Sequence, residues 1–243
     1  MKKTVLLLLI LIACAQSEPT VQPLPPLKQP VNSAELPRVL TSTTDGYTIA
    51  YNIYKNKPAS PSIILLHMLR RTRNDWDSVA KWLQSNGYTV IVPDLRGHGQ
   101  SAGSWEQFTP EDFNKMTLDV AAMKSVLENE GANTKKLAII GASIGANVAL
   151  NYAASDQDVK TVILLSPGLE YKGVSVANTR FNKPFLVVAS KDDEYSAQSA
   201  QVILQNNPTS KILMYEDAGH GTNMFSKNDL APNIMEWMQE HNY

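Results

Sequence analysis

Strand and helix signals alternate from about Arg38 to the C-terminus of this 243-residue chain, which predicts an α/β fold. Three observations carry that reading. Short, continuous apolar runs have the length and composition of strands buried on both faces of a parallel sheet. Between them lie stretches with apolar residues at three- and four-residue spacing, flanked by helix start and stop signals. The residues capable of chemistry fall just after the apolar runs, where open parallel sheets build their sites.

Val39 to Ser42 and Tyr47 to Tyr54 are β-rich and joined through Asp45-Gly46, a hairpin-type turn signal. The apolar runs follow Pro61: Ile63 to Leu66, Tyr88 to Val92, Leu137 to Ile140, Val162 to Leu165, Phe185 to Ala189 and Ile212 to Tyr215. The expected sheet therefore has eight strands, two early antiparallel ones and six later parallel ones, with helices on both faces. Asp75 to Ser85 places Trp76, Val79, Ala80 and Leu83 on one helical face and stops before Gly87, a C-cap position. Thr109-Pro110-Glu111-Asp112 combines a hydroxyl N-cap, a first-turn proline and first-turn acids. It predicts one helix running to Gly131, with Phe113, Met116, Val120, Met123 and Leu127 on its apolar face. Asn147 to Ala154, Glu194 to Leu204 and Asp229 to Gln239 are the remaining helix candidates.

The first residues belong to no fold. Met1-Lys2-Lys3 followed by the apolar Val5 to Ile12 reads as an export signal, too short to span a bilayer. Leu11-Ile12-Ala13-Cys14 resembles a bacterial lipobox, so residues 1–13 are expected to be removed and Cys14, the only cysteine, to be lipidated. Ala13-Cys14-Ala15 also fits ordinary signal cleavage, which would release a soluble exported protein instead. Residues 14–37 carry Pro19, Pro23, Pro25, Pro26, Pro30 and Pro37 and read as an extended tether. The expected location is the bacterial cell envelope, on a lipid anchor outside the cytoplasm, with residues 38–243 as the folded domain.

Hydrophobic residues make up 43% and charged residues 19%, a globular balance with room for one core. The net charge of −1, without long like-charged runs, gives no footprint for nucleic acid. No His/Cys/Asp cluster has metal spacing and no glycine-rich nucleotide loop is present, so neither a metal nor a cofactor is expected.

Gly141-Ala142-Ser143-Ile144-Gly145 sits between the run ending at Ile140 and a small-residue helix. This G-x-S-x-G in strand–turn–helix context is a nucleophile elbow: small neighbours let strand and helix crowd around a serine on a sharp turn. A serine hydroxyl needs a base, and the base an orienting acid. His220, flanked by Gly219 and Gly221 after the last strand, is the base candidate, while His241 lies in the tail. Asp192, Asp193 and Glu194 follow the seventh strand; spacing favours Asp193 as the acid, with Asp192 the runner-up. The backbone N–H of Ile144 points at a bound carbonyl oxygen.

The order Ser143, Asp193, His220 and several flanking segments resemble the α/β-hydrolase superfamily, from about Val39 to the C-terminus. Val92-Pro93-Asp94-Leu95-Arg96-Gly97-His98-Gly99-Gln100-Ser101 is similar to the family's loop after its fourth strand, where Asp94, Arg96 and His98 would brace the turn. His67-Met68-Leu69 matches its oxyanion segment, which implies Leu69 N–H as the second donor and His67 as loop support. Met68 replaces the glycine usual there. Fewer than twenty residues separate Leu165 from Phe185, leaving no room for a cap domain. The resemblance is to capless esterases of dienelactone-hydrolase-like type, with serine where dienelactone hydrolases use cysteine. It implies a serine hydrolase acting on small-molecule carboxylic esters. A prolyl-oligopeptidase-like acyl-peptidase and a non-catalytic binding module stay open. Arg70, Arg71 and Arg73 could hold a substrate carboxylate or phosphate, and Trp105 could line the pocket.

Overall fold

The computed structural model describes Val21, Leu24 and residues 39–241. The expected signal segment, Cys14 and nearly all of the proline-rich tether lie outside the described residues. Ten strands and six α-helices are described: β1 (Val39–Ser42), β2 (Thr48–Tyr54), β3 (Pro61–Leu66), α1 (Asp77–Ser85), β4 (Thr89–Pro93), α2 (Pro110–Asn114), α3 (Met116–Asn129), β5 (Asn133–Ala142), α4 (Ile144–Ser155), β6 (Val159–Leu165), β7 (Glu170–Tyr171), β8 (Val174–Ser175), β9 (Leu186–Ser190), α5 (Glu194–Asn206), β10 (Lys211–Tyr215) and α6 (Leu230–Glu240).

Eight strands form one sheet in the order β1-β2-β4-β3-β5-β6-β9-β10. The pairs β1–β2 and β2–β4 are antiparallel and the rest parallel, as the sequence pattern implies. Side chains along a strand alternate between faces, and that period of two sorts the core. Ile64 and Leu66 of β3, with Leu137 and Ile139 of β5, face α3, α4 and α5. Ile63 and Leu65, with Ala138 and Ile140, face α1 and α6. Both faces are covered by helices, which is why these strands read as unbroken apolar runs. No helix of the described residues is long and apolar enough to cross a membrane.

Two local expectations need correction. The helix expected from Asp75 begins at Asp77, because Arg73–Trp76 is a 3-10 turn. The Arg73 N–H donates to Asp94 Oδ1 at 2.8 Å, and its guanidinium pairs with the same carboxylate, which draws this turn against the sheet edge. The helix expected from Pro110 to Gly131 is broken at Lys115 into α2 and α3. A reciprocal cap between Thr109 and Asp112 fixes the first turn, and Asn114 Nδ2 ties its end to Pro110 O and, at 3.0 Å, to Gly173 O. Apolar spacing continues through the break, so periodicity does not reveal it. The short Leu165-to-Phe185 connection also forms the antiparallel β7–β8 hairpin. No cap domain is inserted there, yet this hairpin leans over the ends of the strands.

Candidate active site

Ser143 stands between β5 and α4 with φ 55° and ψ −123°, a left-handed backbone that a residue with a Cβ adopts only when its surroundings enforce it. Its N–H donates to Leu165 O at 2.8 Å, which ties the turn to β6. The two glycines of the pentapeptide are there for space. A Cβ on Gly145 would sit 2.6 Å from Leu66 O and 2.7 Å from His67 O, and one on Gly141 would strike Gly145 O. Backbone from β3, β5 and α4 therefore crosses at this point with no room for a methyl group.

His220 follows β10 and faces the same pocket as Ser143. Its Nδ1 lies 2.6 Å from Asp193 Oδ2, the geometry of an N–H donated to a carboxylate. Asp192 is occupied elsewhere: it accepts from the Ser190 hydroxyl and from Gly219 N–H (3.1 Å) and Ala218 N–H (3.3 Å). Those amide contacts pull its carboxyl below the usual range, after the larger effect of the Ser190 hydroxyl. Two adjacent acids thus divide the work, one facing the imidazole and the other holding the loop that carries it.

His67 is fully buried, donating from Nδ1 to Met68 O at 2.7 Å and accepting Leu95 N–H at Nε2 at 2.9 Å. Burial, with the His98 ring beside it, holds its pKa down to about 3, so it stays neutral and braces the loop. Asp94 accepts from Arg73 and from Gln100 N–H, and Arg96 pairs with both Asp119 and Asp45. Met68, in place of a glycine, is accommodated by the histidine loop: a Cβ on Gly221 would meet Met68 Sδ and lie 3.0 Å from its Cγ. Leu69 and Ile144 line the same pocket as Ser143, and Ile144 opens α4, where first-turn amides lack intrahelical partners.

The pocket is open, about 550 Å³, and its cations are Arg70, Arg71 and Lys172. Arg71 is held by Asp75 through two bonds of 2.6 and 2.9 Å. Arg70 lies over the Trp105 ring at 5.3 Å, and Trp105 is stacked on His98. Trp105 itself is not among the lining residues, so it reaches the pocket only through Arg70. Arg73 is not a pocket cation at all, because it is buried against Asp94.

The chain is similar to known proteins in part of its sequence and in its fold. Residues 57–183, just over half of the chain, match the family model Hydrolase_4, described as serine aminopeptidase, S33. The chain belongs to this α/β-hydrolase family. Ser143 lies within the matched residues, and Asp193 and His220 lie beyond them. An uncharacterized protein of Mycobacterium tuberculosis is 32% identical over 149 residues, covering 61% of this chain and 40% of that one. The monoacylglycerol lipase ABHD6 of Homo sapiens is 30% identical over 131 residues, covering 52% and 36%. The chain thus spans about two fifths of the length of these curated relatives. The esterase Pf2001 of Pyrococcus furiosus superposes with a TM-score of 0.68 at 19% identity, covering 84% of this chain and 91% of that one, a likeness of fold.

Sequence reasoning missed four lining residues of this α/β-hydrolase pocket: Glu170, Tyr171, Lys172 and Asn223. Tyr171, on β7, lines it beside Ser143 and His220, and its hydroxyl donates to Ser166 O at 3.4 Å and lies 3.1 Å from Ser196 Oγ. An aromatic residue between Gly168 and Gly173, just past a strand that ends at the site, was the available signal.

Proposed function

We propose that this protein is a serine hydrolase that cleaves carboxylic esters of small or accessible acyl groups through an acyl-enzyme. The observation that carries the reading is a strained serine sharing one pocket with a histidine whose Nδ1 is 2.6 Å from a carboxylate. In this mechanism His220 Nε2 takes the Ser143 proton as Oγ attacks the carbonyl carbon. Asp193 fixes the tautomer and stabilises the imidazolium. Ile144 and Leu69 N–H groups receive the oxyanion. The alkoxide leaves with the proton from His220, and water then resolves the acyl-enzyme through the same histidine. Arg70, backed by Trp105, and Arg71 contact the substrate outside the acyl pocket. The open, capless pocket fits a serine member of the dienelactone-hydrolase-like branch, and the names of the lipase and esterase relatives agree with ester chemistry.

The family description favours one second reading, in which the same groups act on an aminoacyl or peptide bond. Cys14 is the proposed lipid attachment point, which would hold the domain at the cell envelope on its tether.

The test pairs wild type with Ser143→Ala, using a fluorophosphonate probe and p-nitrophenyl esters from acetyl to decanoyl. Labelling at Ser143 with ester turnover lost in the variant is expected, by about three orders of magnitude or more. Near-normal hydrolysis by Ser143→Ala overturns the reading. Amine release from aminoacyl substrates in preference to ester cleavage selects the peptidase.

A further inference from the structure

Five described residues other than glycine have a positive φ: Ala59, Arg70, Ser143, Ser166 and Lys172. Three of them, Arg70 (64°), Ser143 (55°) and Lys172 (55°), line the same pocket. The left-handed region is unfavourable for a residue with a Cβ, and such outliers gather where a site needs them. At Ser143 the need is exposure of the nucleophile, which explains neither Arg70 nor Lys172.

Both cations stand where a turn favours another residue. Arg71 N–H donates to Met68 O at 3.2 Å, which makes Arg70 the third residue of a four-residue turn. With Leu69 at negative φ and Arg70 at positive φ this is a type II turn, where glycine or asparagine is preferred at the third position. Lys172 and Gly173 (83°) form the two-residue loop of the β7–β8 hairpin, with Tyr171 paired to Val174. Positive φ at both loop positions is a type I′ turn, which favours asparagine, aspartate or glycine in the first. The hairpin is firmly held: Asn114 Nδ2 donates to Gly173 O at 3.0 Å and buried Asn147 donates to Val174 O at 2.8 Å. None of these contacts uses the Lys172 side chain.

The pocket's charges are not all matched. Arg71 is paired with Asp75. Among the described residues neither Arg70 nor Lys172 is ion-paired. Arg70 lies over Trp105, and Glu106, within electrostatic range of it, accepts the Ser104 hydroxyl. Two unmatched cations against the single lining carboxylate, Glu170, leave a positive surplus. A volume of about 550 Å³ suits one small ligand, which can reach Ser143 and the exposed cations together.

Resting on the serine-hydrolase reading above, we propose that Arg70 and Lys172 form an anion subsite, so that the preferred substrate is an ester whose alcohol part carries a carboxylate or a phosphate. Arg70 offers a planar fork for two oxygens, and Lys172 a point charge on a flexible stem. The reacting carbonyl lies at Ser143 and His220, and the anion at the exposed cations. Two turn positions that favour glycine or asparagine carry cations because the substrate's charge is read there.

The experiment uses the full chain and three acetate esters of like shape: neutral 4-acetoxybenzamide, 4-acetoxybenzoate and 4-acetoxyphenyl phosphate. Its readout is the ratio of kcat/KM for an anionic ester to that for the neutral one, each corrected for the ester's rate in water. Wild type should favour an anionic ester by about tenfold or more, and sodium chloride should shrink that preference. The larger of the two ratios tells carboxylate from phosphate. Arg70→Gly and Lys172→Asn install residues that the turns favour, so each should melt at or above the wild-type temperature. Each should cut the ratio about three- to tenfold. Glu170→Gln, which removes the opposing charge, should raise it. A ratio unchanged in both cation variants overturns the proposal. So does a lower melting temperature at constant ratio, the mark of side chains kept for structure. Isothermal titration with inorganic phosphate and with 4-hydroxybenzoate reads the subsite without turnover. Binding weakened in both variants supports the subsite, and no binding to wild type overturns it. Anion binding without hydrolysis of any ester removes the hydrolase reading and keeps the subsite; equal hydrolysis of all three does the reverse.

Discussion

Asp193→Asn should nearly abolish ester hydrolysis, whereas the same change one residue earlier, Asp192→Asn, should leave it almost intact. The imidazole Nδ1 is 2.6 Å from Asp193 Oδ2, and this bond becomes charge-assisted once His220 is protonated. Losing such a bond costs about 1.5–3 kcal/mol, or roughly 10- to 150-fold in rate. Asparagine does further harm, because its amide favours the tautomer that puts the proton on Nε2. That nitrogen then has no lone pair for the Ser143 proton. Together these effects approach a loss of about 10⁴-fold, close to 5.5 kcal/mol of transition-state stabilisation. Asp192 instead accepts from Ser190 Oγ, Ala218 N–H and Gly219 N–H, and an asparagine oxygen can keep those bonds. Its kcat/KM should stay within about threefold of wild type, with modestly lower thermal stability. Steady-state kinetics on p-nitrophenyl acetate for the three folded proteins decides the matter. An Asp193→Asn enzyme within tenfold of wild type, or an Asp192→Asn enzyme equally slow, refutes this division of labour.

Two further outcomes follow from the buried polar residues around the site. Arg73→Met leaves the Asp94 carboxylate buried without its cation, and urea unfolding should show a loss of about 3–5 kcal/mol; a change below about 1 kcal/mol would mean Asp94 is held by its amide contacts alone. His67, held down to about pKa 3, should remain neutral with its proton on Nδ1 as pH falls from 7 to 5. The unfolded chain binds that proton near 6.5, so the contribution of His67 to stability is complete above this pH and is lost as pH falls toward 3. Nitrogen NMR of the imidazoles reads this directly, and a His67 midpoint near 6.5 contradicts the buried brace.

The sequence by itself determined the class of fold and the places where chemistry could sit. Unbroken apolar runs mark strands covered on both faces, and G-x-S-x-G marks the one turn where three backbones cross without side-chain room. Both are properties of neighbouring residues, and local steric and hydrophobic rules decide them. Tertiary structure alone decided which partner each polar group takes. Asp193 and Asp192 are adjacent and chemically identical; spacing favours the first, but the path of the His220 loop, 27 positions away, is what sets it against the imidazole. Arg73 belongs to the same basic cluster as Arg70 and Arg71 in sequence, yet the approach of Asp94 buries it. Tyr171 shares a pocket with Ser143 because Asn147, Gly168 and Tyr195 hold its hairpin in place. Hydrogen-bond partners depend on ångström-scale placement of segments far apart in the chain, and such distances leave no periodic or compositional trace in the sequence.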